Sequence, residues 1–157
     1  MDLTSSEQQT YDEQTFKNGE YAQQEIQSKT FNGCTFSRCS FNEAAFRACV
    51  FRNGHFKDCD LSLMQVKDST FSGVKFEDCK VVGVNWAAAR WTQLGLLDAS
   101  VDFLNCAISY STFIGVSLKK AALTRCIARD VDFSEANLTG ADCTHTDFSE
   151  SRFSQTN

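Results

Sequence analysis

Eight cysteines, two histidines and twenty acids are the side chains of this 157-residue sequence that could bind a metal, form disulfides or move protons. Their spacing favours none of these. Cys34, Cys39, Cys49, Cys59 and Cys79 recur at multiples of five residues, and Cys106 and Cys126 are twenty apart. No CxxC pair occurs, and a spacing of five does not match the usual zinc pairs. His55 and His145 have no Ser or Asp at a recognisable catalytic spacing, and no phosphate loop or dinucleotide motif is present. The sequence is therefore expected to be no enzyme and to need neither cofactor nor metal. One polar feature stands out. Between Asp130 and Ser151 lie Asp130, Asp132, Glu135, Asp142, Asp147 and Glu150, with no lysine or arginine. Lys119, Lys120, Arg125, Arg129 and Arg152 lie at the margins of that stretch.

Bulk properties narrow the field. The net charge is −5, so the chain as a whole is not a nucleic-acid binder by electrostatics. No apolar run approaches the length of a membrane span. The opening MDLTSSEQQTYDEQ is polar and acidic, unlike a secretory leader, so a cytoplasmic location with reduced thiols is expected. There is no proline, and there are 14 phenylalanines.

The phenylalanines reveal the elements that must position everything else. Every fifth residue from Tyr11 is apolar: Tyr11, Phe16, Tyr21, Ile26, Phe31, Phe36, Phe41, Phe46, Phe51, Phe56, Leu61, Val66, Phe71, Phe76, Val81, Trp86, Trp91, Leu96. After a slip of two residues the series resumes at Phe103 and continues through Phe113 and Phe133 to Phe153. All 14 phenylalanines and both tryptophans lie on this track. Two residues before each large one sits a second, mostly small track, which holds every cysteine except Cys143. Cysteine there reads as a small hydrophobe. Cys39, Cys59 and Cys79 are expected to stack on one wall with parallel side chains, a poor arrangement for a disulfide.

A period of five fits neither a helix nor a plain strand. It requires two inward residues, two apart, followed by a corner. Four such pentads make a square coil of about 20 residues, and coils stacked like hydrogen-bonded strands rise about 4.8 Å each. About seven coils are expected on this count. Gly33, Gly73, Gly83, Gly115 and Gly140 fall two residues after a large position, where a corner calls for positive φ. The absence of proline fits walls whose every amide donates to the next coil. The predicted core includes Phe36, Phe41, Phe56, Phe76, Trp86, Trp91, Phe113 and Phe133.

The segments CTFSR-CSFNE-AAFRA-CVFRN and VDFSE-ANLTG-ADCTH-TDFSE-SRFSQ resemble the pentapeptide-repeat proteins. That resemblance implies an all-β, right-handed quadrilateral β-helix. The runs from Cys59 to Met64 and from Asp78 to Trp86 look like the topoisomerase-protecting branch, which includes the Qnr quinolone-resistance and albicidin-resistance proteins. The branch implies a non-enzymatic DNA mimic that binds DNA gyrase or another type II topoisomerase and shields it from inhibitors. On that reading Asp130, Asp132, Glu135, Asp142, Asp147 and Glu150 stand where DNA carries phosphates. The alternative is a solvated acidic face on a repeat scaffold with an unrelated protein partner. Neither reading involves direct contact with nucleic acid or membrane.

The expected organisation is a cap or arm over residues 1–15, a first β-helix segment over 16–96, a break at 97–102 and a second segment over 103–157. Leu96 and Leu97 side by side predict that one of them is partly exposed. The match is weaker before Lys29, because Gln14, Gln24 and Lys29 occupy positions that should be small. The sequence stops in register at Phe153–Asn157, which predicts either a fragment or a homodimer that covers this C-terminal edge.

Overall fold

A computed structural model describes residues 1–91 and 100–157 of the protein. The chain winds into stacked four-sided coils. The first face carries the parallel strands Thr10–Asp12, Thr30–Asn32, Val50–Arg52 and Thr70–Ser72. The second carries Thr15–Lys17, Thr35–Ser37, His55–Lys57, Val74–Glu77, Val101–Leu104 and Leu123–Thr124. On the third, single parallel bridges join Glu20, Ser40, Asp60 and Lys80. The fourth has Glu25–Gln27 beside Ala45–Arg47 and then bridges. The all-β solenoid matches the expected fold class. The six strands of the second face fall slightly short of the seven coils expected. The next crossing of that face, at Asp142, is held only by a bridge to Ala122.

Register follows the pentad. Phe31 pairs with Phe51 and Phe36 with Phe56, each twenty residues apart. Val74 pairs with Val101, Lys80 with Ala107 and Asn85 with Thr112, each 27 apart. The slip of two in the sequence is therefore a seven-residue insertion in one coil, since seven is a pentad plus two. Val101 and Asp102 already pair with Val74 and Lys75 on the second face. The rest of the break, 97–99, and the positions of Leu96 and Leu97 lie outside the described residues. The turn before the insertion differs from the others. Trp86–Ala88 is a short 3-10 turn, with the Asn85 side chain accepting from the Ala87 amide.

Stacked rings fill the axis. On the second face Phe16, Phe36, Phe56, Phe76 and Phe103 lie near-parallel with centroids 4.7–5.1 Å apart. Neighbouring faces meet edge-on, as Phe31 meets Phe36 at 71°. Phe36, Phe41, Phe56, Phe76, Trp86, Phe113 and Phe133 are all at most 1% exposed. Trp91 is only partly buried; its indole N–H donates to the Trp86 carbonyl at 2.6 Å. The stack crosses the insertion, because Phe76 lies on Phe103 and Trp86 on Phe113.

Each described corner except Ala88 turns on a residue with positive φ. Gly33, Gly73, Gly83, Gly115 and Gly140 are among them, as expected, and 21 others are not glycine. A left-handed backbone costs a residue with a Cβ roughly 1–2 kcal/mol, so the coil stack must over-determine these corners. Before the last coil it does so through the amide of the corner residue, which donates to the next coil, as Asn18 does to Ser37 and Asp130 to Ser149.

The first coil is closed from the N-terminal side. Leu3 is fully buried in the core. Lys29, 4% exposed, sends its ammonium to the Ser6 and Gln8 carbonyls at 2.6 Å each. A long cation stands at that small position because its column ends there, and the head anchors residues 6–8 across the opening.

Candidate protein-binding surface

The four-sided coil spreads the C-terminal acids around the rod. Asp130 and Glu150 are corner residues between the third and fourth faces, one above the other, and both have positive φ. Asp132 lies beside them on the fourth face, bridged to Arg152. Tyr110, Asp130, Asp132, Glu150 and Arg152 line one shallow hollow of about 410 Å³. The other three acids are elsewhere. Glu135 is at the corner between the fourth and first faces, Asp142 is on the second face, and Asp147 is on the third.

Hydrogen bonding divides the six acids into two kinds. Asp132, Asp142 and Asp147 each precede a large inward residue and accept from the amide two residues on, at Ser134, Thr144 and Ser149. Asp60 and Asn137 do the same toward Ser62 and Thr139. These are Asx turns, in which a side-chain oxygen replaces a backbone acceptor. The bonds hold the carboxyls below their ordinary range: Ser134 acts on Asp132 and Thr144 on Asp142. Ser149, joined by Arg129 at 2.7 Å, takes Asp147 to about 2. Asp130, Glu135 and Glu150 make no such bond and no ion pair with the described residues. The acids available to a partner are thus chiefly Asp130, Glu135 and Glu150, with Asp132 next to the first of them.

Two comparisons bear on this architecture. The pentapeptide-repeat region model matches residues 29–102, and the model of eight pentapeptide-repeat copies matches residues 117–155. The chain belongs to the pentapeptide-repeat family. Among solved structures it is similar to two trypsin-treated forms of QnrB1, a plasmid-mediated fluoroquinolone resistance protein. The first has 18% identity and a TM-score of 0.56, with 94% of this chain and 91% of that one covered. The second has 19% identity and a TM-score of 0.54, with 96% and 89% covered. At that identity the likeness concerns the fold. No curated protein matches the chain.

Within this pentapeptide-repeat coil the cysteines do more than fill space. Cys39, Cys59, Cys79, Cys106 and Cys126 form one column, and each thiol donates to the carbonyl of a large second-face residue one coil earlier. Cys59 reaches Phe36 and Cys79 reaches Phe56, both at 3.3 Å. Ser69 and Ser151 use their hydroxyls in the same way. Cysteine is a weak donor as well as a small hydrophobe, a role that spacing alone did not suggest. The Cys106 thiol, partly opposed by Cys59, together with burial pushes Cys79 up to about 12. Burial likewise raises Cys34, Cys49 and Cys126. Thiols held this far from the thiolate are poor nucleophiles and metal ligands. No three His, Cys, Asp or Glu side chains come together as a metal site among the described residues. His55 contacts Glu77 at 2.9 Å on the second face. No helix among the described residues is long and apolar enough to cross a membrane.

Proposed function

We propose that this chain is a non-enzymatic, DNA-mimicking protein that binds DNA gyrase or another type II topoisomerase and protects it from inhibitors. The observation that carries the reading is the set of unpaired carboxylates at Asp130, Glu135 and Glu150 on the last coils of a family rod. A rod with carboxylates where a duplex has phosphates can enter a basic DNA-binding groove. The likeness in fold to a fluoroquinolone resistance protein supports the same direction. The protein works in the cytoplasm, where its free thiols, buried except for that of Cys143, stay reduced. A homodimer through the C-terminal edge belongs to this reading, and Phe153, 44% exposed on that edge, is the ring a second copy would cover.

A second reading is favoured by the Asx turns. If Asp132, Asp142 and Asp147 serve only the fold, the acid-rich stretch is an architectural by-product and the rod is a scaffold for an unrelated partner. A supercoiling assay with purified gyrase separates the two. On the first reading the protein restores supercoiling in the presence of a fluoroquinolone or albicidin. Restoration at no ratio of protein to enzyme favours the scaffold.

A further inference from the structure

Among the described corners, the residues with positive φ are glycine, alanine or polar, with two exceptions, Leu63 and Tyr110. A bulky apolar side chain gains nothing from a left-handed corner, and strained residues of this kind cluster at functional sites. Neither is compensated by burial, since Leu63 is 52% and Tyr110 67% exposed. Both stand on the same corner, between the third and fourth faces, two coils or about 10 Å apart. The coil between them turns on Gly83, where an added Cβ would come within 2.6 Å of Leu63 Cδ2. Glycine therefore leaves a notch into which Leu63 leans. The hollow beside it, about 450 Å³, has Met64, Val66 and Ala88 on its apolar side and Arg47, Lys67 and Asp68 on its polar side.

The surroundings agree. Among the described residues, and apart from Met1 and Phe153, the exposed large apolar side chains are Leu63, Tyr110, Ile114 on the fourth face and Ile127 on the third. None lies on the first or second face. Directly beyond Tyr110 on the same corner stand Asp130 and Glu150, without a bond to a described residue, in the hollow that Tyr110 lines.

From this juxtaposition we infer that the corner running through Leu63, Gly83, Tyr110, Asp130 and Glu150 is the edge by which the rod docks. Its occupant is a basic protein groove bearing an apolar side chain. That side chain enters the hollow beside the Leu63-filled notch, against Leu63, Met64 and Ala88, and Lys or Arg side chains two to three coils, about 10–15 Å, away meet Asp130 and Glu150. The inference rests on the topoisomerase reading above and adds to it an orientation and an apolar anchor. Charge selects the groove, and the two apolar side chains fix where along the rod it sits.

The test is binding of the full chain to purified DNA gyrase, wild type against a Leu63→Gly/Tyr110→Gly double variant. An Asn18→Ser/Asn53→Ser variant, changed at two other corners, is the control. Glycine is at ease in the left-handed region. The double variant should keep or raise the melting temperature while weakening gyrase binding at least tenfold, and the control should bind like wild type. Equal binding by wild type and double variant overturns the edge assignment and leaves the topoisomerase reading standing. A double variant that melts lower and binds unchanged shows Leu63 and Tyr110 to be structural, and also overturns it. Absence of wild-type binding at low salt removes both proposals together.

Discussion

The coils from Thr10 to Glu77 and those from Val101 to Asn157 obey one rule with different residues. In the first region the residue before the large one is often threonine, as at Thr10, Thr15, Thr30, Thr35 and Thr70. The first and second faces there are built of three- and four-residue strands, while the third face is held by single bridges. In the second it is often Asp or Asn, at Asp132, Asn137, Asp142 and Asp147, and beyond the strands Val101–Leu104 and Leu123–Thr124 the walls are single bridges. A β-branched residue favours extended backbone. An Asx side chain captures the amide two residues on and closes a turn instead. The axis changes too. Phenylalanine predominates on the early axis, whereas Ile108, Leu118, Leu123 and Ala128 share the later one with Phe103, Phe113 and Phe133. The first region is built for rigidity, and the second obtains its turns from acids that also charge its surface.

The largest expected difference between the regions is in the core. Phe56→Ala should cost about 3–5 kcal/mol, and Leu123→Ala on the same face about 2–5 kcal/mol, measured by denaturant unfolding. A cost at Leu123 larger than at Phe56 would break the contrast. Next is the N-terminal closure. Lys29→Ala leaves the Ser6 and Gln8 carbonyls without their donor and should cost about 1–3 kcal/mol, with faster hydrogen exchange confined to the first coil. A smaller effect is expected at the turns. Asn137→Ala removes the acceptor for the Thr139 amide and should cost about 0.5–1 kcal/mol, seen as local exchange in the last coils. The same turns set a pH dependence. The folded-state values of Asp132, Asp142 and Asp147 lie below the ordinary carboxyl value. Their contribution is therefore complete above that ordinary value, 3.8, and lost as pH falls toward about 2, the folded value of Asp147. Amides near Ser134, Thr144 and Ser149 should lose protection over that window before those near Phe36. Uniform loss along the rod would contradict the division.

The sequence made the repeat legible because packing leaves so little choice at the inward positions. A large residue every fifth place, with a small one two before it, has no helical or simple strand equivalent. The corners were legible only where glycine marks them, although 21 other described residues turn the same way. Asn, Asp, Glu and Lys enter the left-handed region without a signal that distinguishes them from ordinary surface residues. Leu63 and Tyr110 were hidden for the same reason, since their oddity is conformational. The insertion could be read only modulo five, so seven residues looked like two. Asp132, Asp142 and Asp147 looked like free surface charges because an Asx turn depends on an amide whose direction the sequence does not give. Lys29 read as a mismatch because its partners are carbonyls of residues 6–8, outside the repeat.

The central claim is that the free carboxylates of the second region face a basic topoisomerase groove. The direct measurement is the affinity for purified gyrase of wild type and of an Asp130→Lys/Glu150→Lys variant, at about 50 and about 200 mM salt. Both corners tolerate lysine, since Lys120 already occupies an equivalent one. The account predicts wild-type binding that weakens at least tenfold over that range, and no measurable binding by the variant, with hydrogen exchange of the coils unchanged. Wild-type binding that ignores salt, or a variant that binds as well as wild type, would contradict it.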